Sequence, residues 1–569
     1  MARLNGHPER RATRAVRRRS IGWLQVALLG VLLTGAACWL GGPAAPESHS
    51  HRAGSVLLGS TDPRRAIDFT LVLRLPGQAR LRRFLTELTD PASPNYHHFI
   101  DAAMFGERFG VSRAVLDRAS AQLAHDGVQI TGSYPQRTAL DVRASASTID
   151  RVFDVRLMDW RAADQRVFHA PLSTPTVPGD LSQAVSAVAG LDGTAFVTDE
   201  SAAIQGLAPA SARSVYDIDP LFAQRVTGQG EDIAVAEFAQ FDQSDLDGFD
   251  QQFNLPAVTP VSVSVDGGAT DTSSSSVAEA NLDLEVAHEI APSAQLLDYN
   301  APQATSSGAD TFGDIVDRIT ADGRARVVSD SWGSCEPETP RADIQRDEQA
   351  LEAAAARGVS VFVAAGDTGA YTCQADKDSD HRLSVSWPSS SPFAISVGGT
   401  SLSMTTTGAY AGETAWDDTL EQSGGGGGLS VEYARPAWQV GPGVDNQFSN
   451  GMRQLPDIAA AADPWSGWDT YTGSAMGVAG GTSAATPFWA ASMALVSQYA
   501  RLHRARQLGF ADPMLYAIAS RRRRAPAFHE ITMGSNRYYP ATPGWNFATG
   551  LGSPDVAGLA TDVVAYLRR

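Results

Sequence analysis

The sequence predicts an α/β protein, a parallel sheet with helices on both faces, preceded by a smaller α+β unit. Two observations carry this expectation. From about Gly206 onward, apolar runs at Asp232–Phe238, Gln295–Tyr299, Arg326–Ser331 and Val359–Ala365 alternate with helical stretches, among them Asp314–Ala321 and Asp343–Arg357. Strands that are apolar throughout and separated by helices belong to sheets buried on both sides. Residues 53–200 instead mix short strands with amphipathic helices, the pattern of a compact α+β unit.

The first 45 residues are a targeting segment. Seven arginines precede Ser20, an apolar run extends from Ile21 to Leu40, and small residues with proline follow from Gly41 to Pro46. A basic region, an apolar region and a small-residue zone make a signal peptide or, left uncleaved, a signal anchor. The chain is therefore expected to be exported, secreted or periplasmic, with residues 21–40 as the alternative membrane anchor. Of the three cysteines, Cys38 falls in this segment. Cys335 and Cys373 remain, either as a disulfide, which an exported setting favours, or as two buried thiols.

In residues 53–200, Phe69–Leu75 reads as a strand and Leu81–Leu88 as a helix closed by the Asp90-Pro91 and Ser93-Pro94 turns. Ala114–His125 reads as a second helix, Val128–Ile130 as a strand, Ser147–Phe153 as a helix and Val155–Asp159 as a strand. No catalytic cluster occurs here. Residues 206–569 form the larger unit, in which Gly424–Gly428 reads as a loop approached closely by another backbone.

Hydrophobic content of 43% and charged content of 19% fit a globular chain. The net charge of -18 is concentrated after residue 200, where 44 acidic residues face 22 basic ones. An acidic body of that kind argues against nucleic acid as a partner.

Three segments could carry chemistry. Gly480-Gly481-Thr482-Ser483-Ala484-Ala485-Thr486-Pro487 opens an alanine-rich helix. With Pro487 in the first turn, Ser483 sits at the helix N-terminus, where free N–H groups favour an oxyanion; an ordinary capping serine is the alternative. Glu279 and Asp283 stand at i and i+4, on one helical face. Such a pair can share a proton and still accept one from serine in acid, where histidine would be protonated; otherwise it is a solvated acidic face. Asp367 follows the buried strand as a glycine-flanked acid, either a neutral hydrogen-bond donor to an oxyanion or a turn-former. The larger unit contains only His288, His381, His503 and His529, none in a glycine-flanked setting, and His288 points away from the Glu279 face.

Together these residues resemble the sedolisin (serine-carboxyl peptidase) family, which has a subtilisin-like fold. The resemblance covers nearly all of the chain after the targeting segment. Gly481-Thr482-Ser483-Ala484 looks like the nucleophile motif, and Glu279 matches the base, Asp283 its orienting acid and Asp367 the oxyanion-stabilising acid. Asp90-Pro91-Ala92-Ser93-Pro94-Asn95-Tyr96-His97, Arg108-Phe109-Gly110 and Val188–Asp192 look like a kumamolisin-type activation propeptide over residues 53–200. Ser331-Trp332-Gly333 resembles the strand that pairs with substrate, and Cys335 and Cys373 match a disulfide of the bacterial branch related to sedolisin and xanthomonalisin.

The resemblance implies an acid-active serine endopeptidase, made as a secreted zymogen and inhibited by its own propeptide. It is expected to act as a monomer on peptide or protein substrates. The alternatives are a tripeptidyl-peptidase of the same family and an inactive binding protein on the same scaffold. It also implies a calcium ion near the C-terminus, bound through an Asp-Ile pair and a Gly-x-Gly-Trp-Asp loop. Here the matching residues are Glu530, Ile531, Thr542, Gly544 and Asn546. A longer acid and an uncharged amide replace two aspartates, which weakens the case for calcium, an ion that prefers carboxylate charge among its oxygen ligands.

Overall fold

The computed structural model describes residues 55–161, 167–193, 206–303, 311–376, 380–521 and 527–568. The targeting segment with Cys38 lies outside the described residues, as do residues 194–205, where the two expected units meet. Among the described residues no helix is long and apolar enough to cross a membrane.

The larger unit is built on an eight-stranded sheet of β1 (Asp232–Glu237), β2 (Val261–Ser264), β3 (Gln295–Asn300), β4 (Val327–Asp330), β5 (Ser360–Ala364), β6 (Ile395–Met404), β7 (Tyr410–Ala415) and β8 (Ile458–Ala461). The spatial order is β2-β3-β1-β4-β5-β6-β7, with β8 also paired to β6. All pairings are parallel except β6 with β7. The chain winds from β1 to one side through β2 and β3, then returns to the other side through β4. The carboxyl ends of β1 and β4 therefore border a switch in winding direction, where open parallel sheets place their sites.

The apolar strand runs have a direct consequence. Ile233 and Val235 enter one core while Ala234 and Ala236 enter the other, and Leu296 and Leu297 divide in the same way. Period-two alternation with apolar residues on both sides leaves neither face fit for water. The first face is covered by α1 (Ser274–Ile290) and α4 (Thr482–Leu502). The second is covered by α2 (Thr311–Asp322) and α3 (Arg341–Arg357). Small residues such as Ala484, Ala485, Ala490, Ala491 and Ala494 line the buried length of α4. They let it lie close to the sheet, while Phe488 and Trp489 fill the remaining volume at about 1.5–3 kcal/mol each.

The expected strands and helices are present with ends displaced by up to three residues. Residues 55–193 form a four-stranded antiparallel sheet, ordered Gln129–Ser133, Ala139–Ser145, Ala66–Leu73 and Val185–Ala189, beside a three-stranded one. Ile67, Phe69, Leu71 and Leu73 alternate into its core, where Phe69 meets Phe153 edge-on. Several of these strands, and the helix Ala102–Arg108, are too short to announce themselves by periodicity.

This smaller unit rests on the outer helices. Gln136 and Thr138 both donate to the buried Asp317 of α2, Gly190 N–H donates to Asp343 of α3, and Ile100 N–H donates to the Ala356 carbonyl. Phe99 fills a slot where a Cβ on Gly358 would come within 2.8 Å of its ring. The described body of the unit thus docks on α2 and α3.

Beneath the contact, Arg346 of α3 is fully buried between Asp314, at 2.6 Å, and Asp317, at 2.9 Å. Removing one partner of a buried ionic group leaves uncompensated charge, at about 3–5 kcal/mol. Arg346→Leu in a Ser483→Ala precursor should therefore lower the thermal midpoint at neutral pH, and less so in acid, where the stranded carboxylates can be protonated. An unchanged midpoint at both pH values would mean that the cation does not hold this contact.

Candidate active site

Ser483 is the second residue of α4, and its side chain is nearly buried. Gly481 caps the helix at φ +95°, a conformation that favours glycine. The early N–H groups of a helix have no partner in its own ladder, so Ser483 N–H is available to a ligand. Pro487 lies in the second turn, not the first as its sequence context suggested. A proline there removes the N–H that would have bonded the carbonyl four residues back, that of Ser483. The Ser331 hydroxyl lies 3.2 Å from this carbonyl.

The same hydroxyl donates to Asp283 Oδ1 at 2.7 Å. Ser331 therefore ties the helix carrying Ser483 to the helix carrying Asp283 from the carboxyl end of β4. Glu279 lies one turn before Asp283 on α1, and both are fully buried. The acidic pair is thus no solvated face, and the helix is buried on all sides from Glu279 to Ile290.

Behind the pair stands Glu237, the last residue of β1, which the sequence analysis missed. It is fully buried and accepts from the Trp332 indole N–H at 3.1 Å. Burial pushes its carboxyl well above the ordinary range, reinforced by Asp283, Asp298 and Glu279 nearby. Burial likewise raises Asp283 to about 8, offset by hydrogen bonds from Ser331 and the Glu237 carboxyl. Two carboxyls in such contact hold a proton between them and titrate as a pair. A discoverable signal existed: Glu237 ends an apolar parallel strand, as Asp367 nearly does, but its role depends on Trp332, 95 residues away.

Asp367 follows β5 and is mostly buried. Its Oδ1 accepts from both the backbone N–H and the hydroxyl of Thr482, each at 2.7 Å. Gly366 N–H in turn donates to the Thr482 hydroxyl at 3.1 Å. With Oδ1 occupied by two donors, a proton on Asp367 belongs on Oδ2. The Gly424–Gly428 run packs against this loop: Gly424 N–H donates to the Asp367 carbonyl, and a Cβ on Gly426 would overlap the Ala365 carbonyl.

Of the segment expected to pair with substrate, Ser331 and Trp332 turn their side chains into the acid cluster. Gly333 passes so close to Ser386 that a Cβ would strike its hydroxyl. Cys335 and Cys373 are joined by a disulfide that links the segment after Gly333 to the one after Asp367. The histidines are engaged elsewhere. His288 Nε2 meets the Pro256 carbonyl and Asp250, and His503 Nδ1 the Tyr499 carbonyl. His529 lies by Ser553 and Tyr410, and the His381 ring faces Tyr371.

The five residues matched to a calcium site do come together, but with the wrong polarity. Asn546 Nδ2 donates to the carbonyls of Ile531 and Thr542, each at 3.1 Å, and Glu530 accepts from Gly544 N–H at 2.6 Å. Calcium requires converging oxygens, whereas an amide NH₂ lies where the carbonyls converge. This donor set does not fit the ion.

Comparison with known proteins gives the family. Residues 53–194 match the family model described as Pro-kumamolisin, activation domain, and residues 226–509 match the Subtilase family. The chain is 31% identical to Kumamolisin of Bacillus sp. (strain MN-32), over 71% of this chain and 75% of that protein. It is 30% identical to Sedolisin of Pseudomonas sp. (strain 101), over 87% and 86%. Tripeptidyl-peptidase 1 of Bos taurus is more distant, at 25% over 90% and 95%. A solved structure of Pseudomonas sedolisin, a serine-carboxyl proteinase complexed with pseudo-iodotyrostatin, superimposes with a TM-score of 0.56 at 30% identity, covering 65% of this chain and 99% of that one. The chain belongs to the sedolisin family of serine-carboxyl peptidases and is a serine-type peptidase with an activation propeptide domain and a subtilisin-like fold.

Proposed function

We propose that the protein is an acid-active endopeptidase exported as a zymogen, with residues 1–45 for targeting, 53–200 as inhibitory propeptide and 206–569 as catalytic domain. The observation that carries this reading is the linked set Glu237, Asp283, Ser331 and Ser483, with Thr482 and Asp367 at the same helix end. The endopeptidase reading is supported by 30% identity to the solved Pseudomonas sedolisin, a serine-carboxyl proteinase, against 25% to Tripeptidyl-peptidase 1 of Bos taurus.

Ser483 Oγ attacks the peptide carbonyl carbon as its proton passes to the Glu279 carboxylate. The carbonyl π electrons move to oxygen, and the oxyanion accepts from Ser483 N–H and the Oδ2 proton of Asp367. Collapse breaks the C–N bond, and the departing amine takes the proton from Glu279. Water then attacks the acyl-enzyme by the same route, which restores Ser483. Asp283 orients Glu279, and Glu237 holds Asp283. Ser331-Trp332-Gly333 offers its backbone to the substrate strand.

Catalysis needs Glu279 ionised and Asp367 protonated, so activity on a denatured protein from pH 2 to 8 should be bell-shaped with its maximum in acid. Glu279→Ala should abolish it. Asp367→Ala should lower turnover about 10²–10³-fold. A correctly folded Glu279→Ala enzyme that retained acid activity would place the base elsewhere.

Two propeptide histidines make the stability of the smaller unit pH-dependent, one within its own core and one at its contact with the larger unit. His169, at 1% exposure, has neither ring nitrogen hydrogen-bonded, and burial lowers it from 6.5 to about 4, with Arg65 assisting and Asp159 opposing. His97 donates through Nδ1 to the Gln507 carbonyl and is also held down to about 4, by burial and Arg506. The unfolded or released state takes up protons that the folded state refuses. Stability is thus full above pH 6.5 and falls as pH drops toward 4. The buried Asp141 acts with the opposite sign: raised by burial and Asp314, it favours the docked state when protonated. His169→Leu in a Ser483→Ala precursor should flatten the loss of propeptide stability between pH 6.5 and 4, by about a hundredfold in the unfolding constant at pH 4. An unchanged slope would remove His169 from the trigger.

A further inference from the structure

We infer that the side-chain amide of Asn546 takes the place of the calcium ion, so that the C-terminal loop is locked without a metal. The orientation of the amide is fixed from both ends. Its Oδ1 accepts from Ala548 N–H at 3.1 Å, Thr549 N–H at 3.0 Å and the Thr549 hydroxyl at 3.2 Å. Its Nδ2 donates to the Ile531 and Thr542 carbonyls. Turning the group over would set its oxygen against two carbonyls and its NH₂ against two N–H groups, so one orientation alone satisfies the network. The residue is 2% exposed, which makes each of these partners costly to lose.

The substitution changes what lies at the centre of the loop. An aspartate at this position would direct an oxygen at two carbonyl oxygens, and only a cation between them would make that arrangement favourable. Asparagine supplies the two positive hydrogens itself. Glu530 is committed as well, because its carboxylate closes the loop onto Gly544 N–H. The Asn546 backbone completes the lock through reciprocal bonds with Gly550.

The lock matters for the catalytic end of the sheet. Asn536 Nδ2 bridges the carbonyls of Phe547, in this loop, and Gly427. Gly427 belongs to the glycine run whose Gly424 holds the Asp367 backbone. The Asn546 contacts persist in a medium that contains no calcium, and in acid too, since a carboxamide does not titrate there.

The test uses the full-length Ser483→Ala precursor and reads thermal unfolding, so it does not depend on the catalytic reading. In excess EDTA and in excess calcium chloride, the wild-type loop should give midpoints within about 1 °C of each other, and purified protein should carry no stoichiometric calcium by elemental analysis. The double variant Glu530→Asp/Asn546→Asp should unfold about 4 °C or more lower in EDTA and recover in calcium. A wild-type midpoint that falls in EDTA, or calcium bound one to one, would overturn the inference. A double variant that calcium does not rescue would equally show that amide and ion are not equivalent here.

Discussion

The arrangement around Ser483 is governed by the cost of keeping carboxyl groups out of water. Glu237, Glu279, Asp283 and Asp330 are all fully buried. A carboxylate deprived of water costs several kcal/mol unless it is paired or protonated. Elsewhere in the molecule the solution is a cation: Arg346 sits between Asp314 and Asp317. Near Ser483 the donors are neutral, a serine hydroxyl and an indole N–H, and burial drives protons onto the group instead. The two solutions differ in what they permit. A cation-paired carboxylate is a fixed structural part, whereas a carboxyl cluster held by protons can still exchange them, as a base in acid must.

The sheet explains how such a cluster can be assembled at all. Glu237 ends β1, Ser331 follows β4 and Asp367 follows β5, all at carboxyl ends beside the switch in winding direction. α1 and α4 lie together on one face and deliver Asp283 and Ser483 to that edge. Ser331 is the joint between them. Pro487 frees the Ser483 carbonyl, and Ser331, already bound to Asp283, reaches it. The proton of the Ser331 hydroxyl is committed to Asp283, so the Ser483 carbonyl meets that hydroxyl at the longer distance of 3.2 Å.

Much of this was legible in the sequence because it is local. The apolar strand runs, the i, i+4 spacing of Glu279 and Asp283, and the small residues around Ser483 each report a backbone periodicity or a steric need within a few residues. What was not legible depends on distant partners. Pro487 belonged in the first turn by helix rules alone, and its place in the second turn was not readable from the local residues. Glu237 lay unremarked within the Asp232–Phe238 run, and its partners Trp332 and Asp283 meet it only in the folded sheet. The propeptide strands Val56–Ser60, Val167–Pro171 and Val185–Ala189 were hidden for another reason: runs of five residues carry little alternation to separate them from turns.

Asn546 shows the same dependence on partners. Set beside the family pattern, it read as a weakened ligand, a loss of one charge from a cation site. In place, it reverses the polarity of that site: the carbonyls of Ile531 and Thr542 meet hydrogens instead of needing an ion. The chemistry parallels that at Ser483, where the oxygen-rich interior is also satisfied by neutral donors. Carboxylate ligands to an ion would be protonated in acid, while hydroxyl, indole and carboxamide donors keep their hydrogens there.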